Sequence, residues 1–250
     1  MAKGVDTRAN PDDLLAEAER ETRGRLKVYL GMAPGVGKTY AMLSGARRHK
    51  AQGLDVVAGV IETHGRAETM ALVEGLEVLP RRRFAYRGQT LDEFDIDGAL
   101  ARRPALLLVD ELAHTNAPES RHPKRWQDVE ELIRAGIDVH TTLNVQHLES
   151  LTDVVARITG VRVAETIPDA VLERADEIEL VDLPPQDLLA RLAEGKVYAP
   201  HLAGRAREAF FKPGNLTALR ELALRMAAHT VDGQLVGYMR AHAIDGPWPA

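Results

Sequence analysis

The amino-acid sequence predicts an α/β fold, a mostly parallel sheet flanked by helices, on three observations. Apolar runs alternate with helical patterns along most of the chain, as in successive βα units. The first run leads through a glycine-rich loop straight into a helical pattern, giving strand, loop and helix in order. A later apolar run, Leu106-Leu107-Leu108-Val109, ends in Asp110-Glu111 and so delivers two carboxylates to the C-terminal edge of a sheet.

Element by element, a charged first helix is expected from Pro11 to about Thr22, capped by Asn10, with Pro11 at a position that needs no amide partner. Strand Leu26 to Leu30 follows, then the loop, then a helix from about Gly37 to Gln52 closed by Gly53. Further strands are expected at Asp55 to Glu62, Arg83 to Arg87, Ala105 to Asp110 and Asp138 to Leu143, with helices at Ala67 to Val78 and Arg125 to Ala135. Beyond Asn144 the pattern reads as helix Gln146 to Ile158, strands Val161 to Thr166 and Glu177 to Val181, and helix Gln186 to Ala193 after Pro184-Pro185. A final helix covers Leu216 to Ala228. The expected organisation is a helix and lead-in over residues 1–24, one α/β domain carrying the glycine-rich loop over 25–228 and a linker over 229–250, ending Asp245-Gly-Pro-Trp-Pro-Ala250.

Composition narrows the function classes. At 250 residues and 45% hydrophobic content the chain suits one large domain with a sizeable core. A net charge of -5 argues against a surface built to neutralise nucleic-acid phosphates. The absence of cysteine removes disulfides, thiolate zinc sites and catalytic thiols. The N-terminus lacks the apolar core of a signal peptide and no run approaches the ~18 apolar residues of a membrane span, so a soluble, cytoplasmic chain is expected.

The chemistry concentrates in Pro34-Gly35-Val36-Gly37-Lys38-Thr39. Glycines there let backbone N–H groups turn toward phosphate oxygens while the following helix presents its positive N-terminus. That assigns the chain to the P-loop NTPase-like class and makes ATP with Mg²⁺ the expected cofactor. Lys38 is expected on the β- and γ-phosphates, the Thr39 hydroxyl on Mg²⁺, and the neighbouring Ala33 and Tyr40 as part of the nucleotide-binding segment. The usual pattern, G-x4-G-K-[ST], would put its first glycine at Met32; Gly31 stands one residue early. Asp110 is the expected Mg²⁺ residue, acting through the ion's water shell, and Glu111 is the candidate for orienting a nucleophile.

Other polar groups carry weaker readings. Glu62-Thr63-His64-Gly65-Arg66 is either a γ-phosphate or acceptor contact, or a solvated turn. His114, Thr115 and Asn116 follow the acidic pair as candidate γ-phosphate sensors. Asn144, Gln146 and His147 follow another strand, although helix capping accounts for Asn144 more simply. Arg81-Arg82-Arg83, and Arg121 with Lys124-Arg125, read as solvated faces, one of which could still supply an arginine finger. No His-Glu-x-x-His spacing or acidic zinc cluster occurs.

Several of these stretches together resemble the KdpD family of bacterial potassium-responsive sensor histidine kinases. They are Gly31 to Tyr40, Glu62 to Arg66, Asp110-Glu-Leu-Ala-His-Thr-Asn116, Arg121-His-Pro-Lys-Arg-Trp-Gln-Asp128 and Thr141-Thr-Leu-Asn-Val-Gln-His147, within a similarity running from about Pro11 to Ala228. The resemblance implies an N-terminal ATP-binding regulatory domain at the cytoplasmic face of the inner membrane. In the family it precedes a universal-stress-protein-like domain, membrane helices and a kinase core. The implied partners are the other domains of that receptor, with no nucleic acid and no membrane insertion by this chain. Mg²⁺-ATP would order the loops after Glu62 and Asp110 and change a surface that contacts the rest of the receptor. Type II thymidine kinases share the loop and acidic pair, so the alternatives are transfer of the γ-phosphoryl group to a protein or small-molecule hydroxyl, or a slow ATPase switch. GTP is least supported, because no Asn-Lys-x-Asp motif occurs.

Overall fold

The computed structural model describes residues 22–195, 197 and 210–241. The expected first helix from Pro11, and the chain end beyond residue 241, lie outside them. The fold is α/β: six strands form one sheet in which every neighbouring pair is parallel, as expected for a P-loop NTPase-like fold.

The strands are β1 (Leu26–Gly31), β2 (Val56–Val60), β3 (Glu77–Val78), β6 (Leu106–Val109), β7 (Asp138–Asn144) and β8 (Glu177–Leu180), in spatial order β3-β2-β6-β7-β1-β8. Parallel strands need crossovers, and helices supply them, covering both faces. Every residue of β2 and β6 is therefore buried. Side chains alternate between two apolar layers. Leu106 and Leu108 face Tyr29, Met42, Leu43 and Ala46, the last three from α1 (Lys38–Ala51). Leu107 and Val109 join the larger core with Val129, Leu132 and Ile133 of α4 (Arg125–Arg134).

The remaining helices are α2 (Ala67–Val73), α3 (Ile96–Arg102), α5 (Thr152–Thr159), α6 (Asp169–Glu173), α7 (Pro185–Ala193) and α8 (Pro213–Ala241). The C-terminal α8 is 29 residues long and buries Leu216, Leu219 and Ala223 in the larger core, passing the expected end at Ala228.

Several local expectations fail for identifiable reasons. The helix expected over Ala67 to Val78 stops at Val73 because Gly75 takes a left-handed φ of 79°, and Glu77–Val78 then joins the sheet edge. The strand near Arg83 to Arg87 exists as β4 (Arg82–Tyr86) but leaves the parallel sheet, pairing antiparallel with β5 (Gln89–Glu93). Arg87 and Gly88 between them both have positive φ, the condition for a two-residue hairpin turn matched to strand twist. The expected helix Gln146 to Ile158 opens as two 3₁₀ turns, Val145–His147 and Glu149–Leu151, and becomes α-helical only at Thr152. The expected strand Val161 to Thr166 has no ladder; Glu165 instead accepts hydrogen bonds from the Thr115 N–H through its carboxylate and from His147 Nδ1 through its carbonyl.

Candidate functional site

Strand order brings the chemistry together. β7 lies between β1 and β6, so the glycine loop after β1, Asp110 after β6 and Asn144 at the end of β7 open on one edge. They enclose a cleft of about 250 Å³, lined on the loop side by Pro34, Gly35, Gly37, Lys38 and Thr39.

The loop's path explains its glycines. Gly35 and Gly37 take φ values of 90° and 107°, which side-chain-bearing residues rarely adopt. Gly31 resolves the shifted motif: a Cβ there would lie 2.6 Å from Val36 Cγ2 and 3.1 Å from Lys38 Cδ. The close approach thus falls one residue early, and Met32 is free to serve as a buried core side chain. Ala33 is buried behind the loop, whereas Val36 and Tyr40 line a neighbouring cavity.

Lys38, only 8% exposed, is held from two sides. Its Nζ donates to the Ala33 carbonyl at 3.2 Å and to Asn144 Oδ1. An ammonium has three donors, so these bonds hold it in position with one left to offer the cleft. Burial lowers its pKa to about 8, against the opposing pull of Asp110 and Glu111. Asn144 precedes the 3₁₀ turn but makes no capping hydrogen bond, so the capping reading is corrected.

Asp110 is the most heavily hydrogen-bonded group in the cleft, at 1% exposure. Its carboxylate accepts the Thr142 hydroxyl at 2.5 Å, the Thr39 hydroxyl at 3.0 Å and the N–H groups of Glu62 and Glu111, each at 3.1 Å. Burial nevertheless pushes its pKa up, and the hydrogen bonds only partly offset this. A buried anion beside a hydroxyl is a donor set for a hard cation. Thr142 acts as a hinge pin, donating to Asp110 while accepting the Glu111 N–H at 3.1 Å.

Glu111 stands beside it with a left-handed φ of 56° and lines the cleft. Its carboxylate lies 3.5 Å from Nε2 of His64, itself at φ 51°. The contact with His64 lowers the Glu111 pKa and raises that of His64. Of the second-strand turn, His64 and Arg66 line the cleft, while Glu62 is tied to Arg81 at 2.7 Å. His114, Gln146 and His147 line it too, and the buried Gln146 Oε1 has no partner among the described residues. Thr115 and Asn116 do not: Asn116 is buried and donates to Asp128 at 2.7 Å.

The basic runs divide sharply. Arg82 and Arg121 pair with Asp97, and Arg83 lies 3.4 Å from Asp92, all on exposed surface. Arg125 is no solvated residue: at 1% exposure it donates to the Asp110 carbonyl at 3.0 Å and lies 3.5 Å from Glu93. Glu93 also accepts the Ala117 N–H at 3.0 Å and contacts His114 Nε2 at 3.1 Å, so a buried network underlies the loop after β6.

Sequence reading missed Glu93, Thr142, Glu165 and Arg191. Arg191 on α7 donates to the Gly35 and Val36 carbonyls, at 3.4 Å each, from more than 150 residues away. No local signal marks such a contact; Thr142 alone had one, lying in a strand that ends at the cleft. Among the described residues no group of three or more His, Asp or Glu could form a protein-only metal cage, and no helix is long and apolar enough to cross a membrane.

Residues 22–231 match the family described as the osmosensitive K+ channel His kinase sensor domain. The chain is similar to Sensor protein KdpD of Escherichia coli (strain K12), 63% identical over 228 residues, which are 91% of this chain and 26% of that protein. It is 53% identical over 228 residues to Sensor protein KdpD of Mycobacterium tuberculosis, with the same shares covered. A Putative sensor protein KdpD of Synechocystis is 52% identical over 210 residues, 84% of this chain and 57% of that protein. The chain thus spans about a quarter of the length of the first two relatives, and by the family match and these identities it belongs to the KdpD sensor-domain family.

Proposed function

We propose that this chain binds Mg²⁺-ATP in the cleft and, as one domain of a potassium-responsive sensor kinase, tunes the output of the other domains from the cytoplasmic side. The observation that carries the reading is one juxtaposition: a buried lysine and a half-buried threonine at the start of α1 stand against the buried aspartate that follows β6, with Thr39 Oγ1 3.0 Å from Asp110 Oδ2. A helix N-terminus with a lysine suits a polyphosphate. The donor set fits Mg²⁺: Thr39 would hold the ion directly and Asp110 through its water shell. When bound, the ion neutralises charge on the phosphate oxygens.

The chain's own residues then provide the switch. Asp110 accepts N–H groups from the loops after β2 and β6 together, so a cation drawing on its carboxylate acts on both loops at once. Asn144, bonded to Lys38, leads into the 3₁₀ turn Val145–His147, against which α8 packs. A change at Lys38 therefore has a short packed route to the C-terminal helix. The ligand can shift the balance only by its differential affinity; a ~100-fold preference is worth ~2.7 kcal/mol.

Isothermal titration with Mg²⁺-ATP tests the reading. Lys38→Ala is expected to abolish detectable binding while the circular dichroism spectrum stays unchanged; unaltered affinity would remove Lys38 from the site and the proposal with it.

A second reading, phosphoryl transfer to a protein hydroxyl or slow hydrolysis, is favoured by Glu111, whose carboxylate is 45% exposed beside Asp110 and lies 3.5 Å from His64 Nε2. In that case Glu111→Gln keeps ATP affinity within a few-fold and slows γ-phosphate loss at least ~10-fold, about 1.4 kcal/mol of barrier. Release and transfer of labelled γ-phosphate measure it. Turnover independent of Glu111 leaves the sensing role alone.

A further inference from the structure

We infer that the cavity on the outer side of the glycine loop is the nucleoside subsite, with Tyr40 as its aromatic contact for the base; the inference rests on the nucleotide reading above. This cavity, about 750 Å³, shares Gly35, Gly37, His64 and Arg66 with the phosphate cleft, so the two adjoin along the glycine loop and the turn after β2. The compartments differ in chemistry. The cleft holds the buried lysine and aspartate, whereas the outer cavity takes Tyr40 and Ala41 from α1, Val181 after β8 and Ala67 from the start of α2.

Its position follows from the loop's architecture. A backbone that turns N–H groups toward an anion turns carbonyls the other way, and those of Gly35 and Val36 are taken up by Arg191. Arg191 therefore closes the back of the loop and presents its guanidinium to the outer cavity, which it lines. Tyr40 lies in the first turn of α1, one residue beyond Thr39, and is 46% exposed. Core packing does not account for an aromatic left half-open beside a cavity of this size. A flat, mainly apolar base with a polar edge does, because it stacks on a tyrosine ring and a planar guanidinium while its ribose spans to the phosphates past Gly37.

Affinity for a nucleotide and for its phosphates alone must then separate. Isothermal titration with Mg²⁺-ATP and with Mg²⁺-tripolyphosphate, which lacks base and ribose, reads the two compartments independently. The wild type is expected to bind ATP more tightly than tripolyphosphate. Tyr40→Ala is expected to weaken ATP about tenfold and leave tripolyphosphate unchanged, with Tyr40→Phe close to wild type. Ala67→Trp, which fills the outer cavity from an exposed position, is expected to do the same as Tyr40→Ala. Equal affinity of the wild type for both ligands, or variants that bind ATP normally, overturns the subsite while the phosphate site stands. Parallel loss of both ligands in the variants overturns it as well, since the damage would then lie in the loop. Failure of the wild type to bind either ligand overturns the nucleotide reading itself.

Discussion

Lys38 has opposite pH signatures in stability and in binding. Burial lowers its pKa to about 8 from an ordinary 10.5, so between those values the unfolded chain holds a proton that the folded chain has released. Its contribution to stability therefore rises with pH across that window. Phosphate affinity should do the reverse, because only the ammonium attracts phosphate: from pH 7 to pH 9 ATP affinity is expected to fall by about tenfold. Titration calorimetry at the two pH values checks it; a flat profile would mean that Lys38 stays charged throughout and contributes no pH-dependent attraction. Glu111 and His64 make a different point at this scale. Each takes a left-handed backbone conformation that costs a non-glycine residue of order 1 kcal/mol, and the two face each other across the cleft mouth.

The ends of β6 and β7 and the start of α4 act together. Arg125, the first residue of α4, reaches under the loop after β6 to the Asp110 carbonyl and to Glu93 at the end of the β4–β5 hairpin. Burial lowers the Arg125 pKa, although the charge of Glu93 opposes this. Removing one member of such a buried pair strands the other, so Arg125→Met is expected to destabilise the domain by about 3 kcal/mol in urea denaturation. The double variant Arg125→Met with Glu93→Leu is expected to recover part of that loss. Full additivity of the two single changes would show that the contact between them carries no coupling.

At the scale of the whole molecule, the cleft joins β1, β6 and β7 with the loop after β2, and α8 packs on the same core. A ligand there reports on global unfolding, not on one loop. Mg²⁺-ATP at about 100 times its Kd should add ~2.7 kcal/mol, which for a chain of this size shifts Tm upward by roughly 5–10 °C. Differential scanning calorimetry measures it. A shift unaffected by Asp110→Asn, or the same with and without Mg²⁺, would take the metal out of the site.

The order of elements, the strand-loop-helix unit and the acidic strand end were legible in the sequence because each is encoded within a dozen residues. Apolar period, glycine placement and flanking carboxylates are local signals, and the parallel sheet follows from them. Family membership was legible for the same reason, in stretches such as Asp110 to Asn116 and Thr141 to His147. Tertiary structure alone decided the rest. Asn144 reads as a cap until Lys38 at the start of α1, more than a hundred residues earlier, is set beside it; Arg125 reads as a surface charge until the hairpin sets Glu93 beside it; Arg191 has no motif and gains its role only when α7 packs behind the glycine loop. A polar side chain's partner depends on which strand ends become neighbours, and β7 lying between β1 and β6 is a property of the folded sheet that no local pattern encodes.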